Sequence, residues 1–231
     1  TLYVAVFNDD GTGAWKALST ANMDLAGTHS YDDNGTVYQY NFASDAEVLA
    51  SARLAADVVG ATPMDRPEWA TVHPNTGDVY LTLTNGNSSN RPSTDLDGAN
   101  PRAVNSNGHI IRWREEAGDH AATSFEWDIF LFGSSADASS DYNVSGLTAD
   151  SEFSSPDGLF IDPRVVIWIQ TDDGSSGIRG KTNNQMLVAI PGEVGDGESV
   201  TVTTSDGNGQ ESIQTFVGGN AEAVQLKRFL V

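Results

Sequence analysis

The chain has 231 residues, of which 39% are hydrophobic and 23 are glycine; this suits a loop-rich β protein that can still bury a core. It contains no cysteine, which excludes a disulfide framework, and no run of eighteen apolar residues, so no membrane span is predicted. The formal charge of −20, from 32 acidic and 12 basic residues, argues against nucleic acid as a partner, because no basic stripe is available to neutralise phosphates.

The first sixty residues predict two strands and one helix. The strands, Leu2–Phe7 and Ala14–Leu18, are predicted to form the outer half of a propeller blade over residues 1–19. A helical insertion is predicted over residues 44–60, where a capping serine precedes strong helix formers and a glycine ends the run. Its apolar positions recur at helical spacing, which indicates a face that packs against the blades. Residues 20–43 carry mixed signals and predict no element.

A hairpin pattern then occurs twice, at residues 65–85 and 155–172. Each copy has proline, an acidic residue, an apolar run, a proline-containing turn and a second apolar run. Two more strand-like runs follow each copy, at 108–114 and 124–132 and at 185–190 and 223–231. Four short strands per unit are the signature of a propeller blade. We therefore predict an all-β fold, a β-propeller with full blades at 65–133 and 155–231.

Two blades and part of a third cannot close a ring, and an open propeller exposes unpaired strand edges. The chain also begins and ends inside predicted strands. We therefore expect residues 1–231 to be a single partial propeller domain, either a segment of a longer chain or one completed by a partner chain that supplies the remaining blades.

Polar insertions interrupt the predicted strands. Within residues 86–107, the run from Asp95 to Asn100 has the oxygen ligands that a hard cation favours, but it lacks the full twelve-residue calcium loop. Clusters of this composition are commonly turns, so both interpretations stay open. Two further insertions, at 134–154 and 191–219, are predicted to be flexible surface excursions.

The repeat pairs two acidic residues. It aligns Pro67 with Pro156, and hence Glu68 with Asp157. In a propeller the innermost strand of each blade lines the central channel, so equivalent positions on successive blades lie side by side. Two converging carboxylates repel each other unless they are protonated or bridged, and a multivalent cation is the common solution. The alternative is that each residue only caps a turn.

Arg66 is the candidate catalytic and substrate-binding cation. It lies two residues before Glu68, and period-two alternation in a strand would place both side chains on one side. A fixed guanidinium there would suit a phosphate oxyanion. The competing interpretation is a salt bridge from Arg66 to Glu68 or Asp65.

Three further residues are candidates. Asp172, after the second hairpin, would reach a nearby cation, although an Asp-Gly turn explains it equally well. Asn100 and Arg102 are candidate substrate-binding residues on a lid, with a solvated loop as the alternative.

His73 and His109 show no zinc spacing and are interpreted as structural. Four tryptophans are predicted to lie in the blade core: Trp69, Trp113, Trp127 and Trp168.

Three groups of residues resemble the PhoX family of bacterial alkaline phosphatases: Ala61–Trp69, Ala99–Ala103 with Gly108–Trp113, and Ser155–Leu159 with Trp168–Asp172. The resemblance runs across essentially the whole chain, as a C-terminal part of such a protein. It implies a six-bladed propeller, export to the periplasm by the twin-arginine route, and hydrolysis of phosphate monoesters at a cluster of iron(III) and calcium.

By motif match, Glu68 and Asp157 resemble metal ligands of that family and Arg66 its phosphate-binding residue, with Asp172 as a further ligand. The family's iron site uses a cysteine, which this chain lacks. The missing ligand is therefore expected outside these 231 residues, and the isolated chain is expected to be inactive.

The resulting hypothesis is metal-assisted phosphomonoester hydrolysis, in which Arg66 offsets charge on the transferring group. Two other classes stay open. A calcium-dependent propeller lactonase would also use carboxylates at the channel opening, whereas Arg66 favours a phosphate ester. A non-catalytic scaffold would use the propeller face to bind a partner.

Overall fold

The computed structural model describes residues 1–86, 96–173, 178, 181 and 183–194, and the backbone of 200–205, 211–216 and 227–229. The fold is all-β, with antiparallel sheets and few helices. The chain forms two compact units: residues 1–7 with 13–62, and residues 8–12 with 63–231. No helix among the described residues is long and apolar enough to cross a bilayer.

The first unit contains two hairpins and two short helices. Its elements are β1 (Leu2–Phe7), β2 (Thr12–Leu18), a 3₁₀ turn (Met23–Leu25), β3 (His29–Asp33), β4 (Thr36–Tyr40), α1 (Asp45–Ala50) and α2 (Ala52–Val58). Strand β1 pairs with β2, and β3 with β4. The two strands predicted at the start of the chain are confirmed. The β3–β4 hairpin gives no sequence signal because most of its residues face solvent on both sides.

The predicted helix is present but interrupted. Ser44 caps α1, and its side chain accepts a hydrogen bond from the Glu47 amide at 3.3 Å. At Ser51 the backbone leaves helical geometry, with φ −115° and ψ 38°, and α2 begins at the next residue. The predicted packing face is real, because Val48 and Ala55 are fully buried in the core of this unit.

The second unit contains the repeated strands. They are β5 (Pro67–Val72), β6 (Val79–Leu83), β7 (His109–Glu115), β8 (Ser124–Phe132), β9 (Pro156–Ile161), β10 (Ile167–Thr171), β11 (Met186–Ala189), β12 (Val200–Ser205), β13 (Glu211–Phe216) and β14 (Lys227–Phe229). Neighbouring strands pair in the order β5-β6-β7-β8 and β9-β10-β11-β14, all antiparallel. All four strands predicted for each repeat are therefore present. The β12–β13 hairpin lies within the insertion at 191–219.

One apolar core joins the two sets of four paired strands in this unit. It brings Tyr80 of β6 and Phe130 of β8 together with Leu159 of β9, and it also includes Leu147 and Phe153. The prediction of a flexible surface excursion at 134–154 is therefore wrong. The polar residues around those two apolar anchors hide them from a composition-based prediction, and a backbone bridge between Ser134 and Phe153 closes the segment.

Some of the tryptophan predictions are confirmed and one is wrong. Trp113 and Trp127 are buried, which confirms them as core residues, and Trp168 is half-buried. Trp69 is 58% exposed, so the prediction that it lies in the core is wrong.

Candidate active site

Both repeats enter their first strand through the same backbone turn. Arg66 and Ser155, each directly before a proline, have positive φ values of 49° and 54°. Proline disfavours the right-handed α region for the residue before it, and the left-handed region is rarely populated by non-glycine residues. Sharing this uncommon conformation shows that the two turns are equivalent in structure as well as in sequence.

The hydrogen bonds that close the open end of each hairpin are also equivalent in the two copies. The Thr84 amide donates to the Arg66 carbonyl at 3.1 Å, and the Asp172 amide donates to the Ser155 carbonyl at 2.9 Å. The predicted alignment of the two copies is thus confirmed in the backbone. It also places Asp172 at the position that Thr84 holds in the first copy.

A β-bulge follows each turn. Between the pairs Pro67↔Leu83 and Ala70↔Leu81, strand β5 has one residue more than β6, so Glu68 and Trp69 together face one partner residue. We call Glu68–Trp69 the first bulge. Period-two alternation therefore does not place Arg66 and Glu68 on one side, because Arg66 precedes β5 and Glu68 lies in the bulge.

Strand β9 carries the same irregularity between Pro156↔Thr171 and Leu159↔Ile169. Its extra residue falls at Asp157–Gly158, which we call the second bulge. Glu68 and Asp157 therefore occupy equivalent bulged positions, and bulges are known to re-aim side chains next to active sites.

The hydroxyl group of Thr82, on β6, connects the two bulges. Thr82 Oγ1 accepts from the Trp69 amide at 2.9 Å and donates to the Asp157 carbonyl at 2.8 Å. Two residues further along, just past the end of β6, Thr84 Oγ1 donates to the Pro156 carbonyl at 2.9 Å. The start of β9 is thereby held against the first hairpin, as expected if the two acidic positions belong to one site.

Arg66 and Glu68 do meet, although not by strand alternation. Arg66 Nη2 lies 3.5 Å from Glu68 Oε1, and Arg66 Nη1 donates to Asn85 Oδ1 at 3.4 Å. The Arg66 side chain is 50% exposed and the Glu68 side chain 36%. The salt bridge weighed against a phosphate-binding role is present, but an exposed pair of this kind is weak. Arg66 can therefore exchange Glu68 for an anion at little cost.

The chemistry of the acidic side chains fits a hard cation, but their number does not complete a site. Glu68 and the exposed Asp172 offer carboxylate oxygens, as does the half-buried Asp157. Within residues 1–86, 96–173 and the other described positions, no group of three or more histidine, cysteine, aspartate or glutamate residues could hold a metal. These residues can supply only part of a metal centre.

Asn100 and Arg102 lie inside the second unit, so the expectation of a lid or a solvated loop is wrong for both. They are 0% and 2% exposed. Arg102 donates to the carbonyls of Gly133 at 2.9 Å and Tyr142 at 2.6 Å, and its guanidinium lies over the Tyr142 ring. Burial lowers the pKa of Arg102 to about 10, which leaves it charged at neutral pH. Asn100 Nδ2 donates to the Pro63 carbonyl at 2.6 Å.

A buried polar network holds the residue that precedes Arg66. Asn105 Nδ2 contacts both Asp65 Oδ2, at 3.1 Å, and His109 Nδ1, at 2.8 Å. His109 Nε2 lies 2.7 Å from the Ala99 carbonyl, so the ring carries its proton on Nε2 and accepts at Nδ1. This agrees with the structural role predicted for His109.

Gly86 leaves the space that the Asp65 carboxylate fills, because a Cβ there would lie 2.0 Å from Asp65 Oδ1. Asn85, Asn105 and Gly86 were not predicted as site residues. The only available signal was that Asn85 ends the first repeated motif, since the contacts of the other two depend on the folded chain.

Comparison with known proteins decides the family. The sequence profile described as alkaline phosphatase PhoX matches residues 1–224. The chain belongs to the PhoX alkaline phosphatase family. The resemblance seen in the three groups of motifs is thereby confirmed. No curated protein matches the chain.

Among solved structures, PhoX of Pseudomonas fluorescens, in complex with vanadate, a transition state analogue, is similar over 98% of this chain at 29% identity and a TM-score of 0.67. The match covers 44% of that protein, so this PhoX-family chain spans less than half the length of the relative.

Proposed function

We propose that the protein formed by this chain hydrolyses phosphomonoesters, with Arg66 as the group that binds the phosphoryl oxygens. The observation that carries the proposal is the Arg66–Glu68 pair at the first bulge, in a chain of the PhoX family. A guanidinium presents parallel N–H donors that match a phosphate oxyanion. With a formal charge of −20, the chain repels an anionic substrate overall, so local cations must do the binding.

Three carboxylates are proposed as metal ligands: Glu68, Asp157 and Asp172. Hard oxygen donors of this type suit calcium and iron(III), the metals implied by the family resemblance. When bound, such cations would polarise phosphoryl oxygens and lower the pKa of a bound water. The remaining ligands, including the cysteine, would come from other parts of the propeller. The isolated chain is therefore predicted to be inactive.

The other site residues hold these groups in place. Asn85 limits the movement of the Arg66 guanidinium. Asn100 and Arg102, expected from the sequence to bind substrate, are proposed instead to brace the surrounding backbone, because their polar groups are buried against main-chain carbonyls. We further propose that these two sets of four strands, β5–β8 and β9–β11 with β14, are blades of a six-bladed propeller, and that the protein is exported to the periplasm by the twin-arginine route.

The test is substitution of Glu68 and of Arg66 in the complete, metal-loaded protein. Glu68→Ala should lower kcat on p-nitrophenyl phosphate by about 10²-fold or more and reduce the bound calcium and iron, because an essential carboxylate is lost. Arg66→Lys should lower kcat/KM, since lysine keeps the charge but not the planar donor pair.

Glu126→Ala, which removes an exposed strand glutamate, is the matched control and should keep full activity. Unchanged turnover and metal content in Glu68→Ala would refute the proposal.

A lactonase is the second candidate, and the paired acidic bulges favour it as much as a phosphatase. Arg66 separates the two, because a neutral lactone gives a phosphate-binding guanidinium nothing to bind. Assaying one preparation on a lactone and on p-nitrophenyl phosphate decides between them. A scaffold would turn over neither substrate and would contain no metal.

A further inference from the structure

We propose that Thr82 is a positioning residue, which fixes the first bulge relative to the second and thereby sets the separation of Glu68 and Asp157. The inference rests on the proposed function, because it assumes that these two carboxylates act together. It adds a residue that itself carries none of the chemistry.

The Thr82 hydroxyl has one proton to give, and the distances show where it goes. Its oxygen lies 2.8 Å from the Asp157 carbonyl and 3.2 Å from the Trp69 carbonyl, so the shorter contact takes the proton. A lone pair of the same oxygen accepts the Trp69 amide at 2.9 Å. One side-chain atom therefore bonds the backbones of both bulges.

The bond has structural consequences because Thr82 is fully buried. A bulge leaves its extra residue outside the strand ladder, and the hydroxyl satisfies the Trp69 amide that the ladder omits. Removing it leaves that amide and the Asp157 carbonyl without their partner. Both backbones are then free to shift.

Two other residues of the chain can be compared directly with Thr82. Thr84 is also a buried threonine on the same hairpin, and its hydroxyl donates to β9 at the Pro156 carbonyl. Among the described contacts it makes no bond to the first bulge. In the second repeat Gln170 takes the position of Thr82, and its side chain packs against Gly158. Thr82 is therefore the hydroxyl that links the two acidic positions, whereas Thr84 only ties one strand to its neighbour.

The consequence for catalysis follows from geometry. Glu68 and Asp157 are themselves bulge residues, so a shift of either backbone changes the separation of their side chains. Catalytic groups tolerate little displacement, and a misplacement of about 1 Å can cost roughly 10²-fold in rate. A positioning defect of this kind acts on the transition state more than on ground-state binding.

The test uses the complete, metal-loaded protein and three variants: Thr82→Val, Thr82→Ser and Thr84→Val. Thr82→Val keeps the shape and loses the hydroxyl. It should lower kcat by about tenfold or more with little change in KM, and weaken inhibition by vanadate by a similar factor. Thr82→Ser keeps the hydroxyl and should restore both. Thr84→Val should keep kcat within about twofold of wild type, even if its melting temperature falls as far as that of Thr82→Val.

The inference is overturned if Thr82→Val keeps wild-type kcat, if Thr84→Val loses as much, or if Thr82→Ser fails to restore turnover. Should Thr82→Val not fold, Thr82→Cys replaces it: the thiol is a weaker donor, so kcat should fall between the serine and valine values, and wild-type kcat would overturn the proposal. A fully active Glu68→Ala would instead refute the proposed function. An inactive Glu68→Ala beside an active Thr82→Val refutes this inference alone.

Discussion

Asp162 organises the turn between β9 and β10 with a single carboxylate. Its Oδ1 accepts from the amides of Arg164 at 2.8 Å and Val166 at 3.3 Å. Its Oδ2 accepts from Arg164 Nε at 2.9 Å and from Trp168 Nε1 at 3.1 Å. The hydrogen bond from the Arg164 guanidinium is the largest cause that lowers the pKa of Asp162, to about 2. The ionised form is therefore favoured in the folded state.

This pKa predicts a defined acid sensitivity. A carboxyl whose pKa falls on folding stabilises the protein above its unfolded value of 3.8, and this contribution is lost as the pH drops towards 2. Asp162→Asn should therefore melt below wild type at neutral pH, and the gap should close between pH 3.8 and about 2. Thermal melting of both proteins, monitored by circular dichroism at each pH, measures this difference in melting temperature.

Glu126→Gln removes one exposed negative charge for which the described residues show no ion pair, and it is the control for a general charge effect. A gap between Asp162→Asn and wild type that stays constant down to pH 2 would contradict the assignment.

At the scale of elements, the two repeats close their hairpins with the same turn built from different residues. In the first copy His73 Nδ1 accepts from the amides of Asn75 and Thr76, much as Asp162 does in the second. Each turn has one left-handed residue before the second strand. It is Gly77 in the first copy, with φ 79°, and Val165 in the second, with φ 65°.

Val165 is the less suitable residue for that backbone, because a β-branched side chain at positive φ is strained, whereas glycine adopts it freely. Val165→Gly should raise the free energy of unfolding by about 1 kcal/mol, the relief of strain exceeding the entropy that glycine costs. Urea unfolding at constant m-value measures the change.

The reciprocal Gly77→Val should destabilise, since it adds the same strain and a Cβ would lie 3.1 Å from the His120 ring. Destabilisation by Val165→Gly would show that the valine side chain contributes more packing than its backbone costs.

The strands were predictable because their signals are local. Alternating apolar residues and the proline-containing turns identified the four strands of each repeat and the equivalence of Glu68 and Asp157. The bulges were not predictable, because the extra residue in β5 appears only when its pairing with β6 is known. The link from Thr82 to Asp157 joins positions 75 residues apart, which no local pattern records. Arg102 was misplaced because its carbonyl partners, Gly133 and Tyr142, lie 31 and 40 residues away along the chain, and Tyr142 belongs to a segment that composition had marked as surface.

At the scale of the whole molecule, charge sets the response to salt. With 32 acidic and 12 basic residues the folded chain repels itself, and added salt screens that repulsion over distances of about 10 Å at 0.1 M and about 3 Å at 1 M. The melting temperature should therefore rise from 0.05 to 1 M NaCl.

KCl at equal ionic strength is the control and should act alike, because screening does not depend on the identity of the cation. A melting temperature that falls with salt would mean that ion pairs such as Arg114–Asp78 outweigh the net repulsion.

The exposure of Trp69 has a practical consequence. Trp113 and Trp127 are shielded from solvent, whereas the Trp69 indole is open to it and is the direct neighbour of Glu68 in the chain. The protein thus carries an intrinsic fluorophore beside its candidate catalytic pair. The fluorescence of this indole would report the binding of a quencher or a ligand without any attached dye. The enclosed indoles would contribute a steadier background signal.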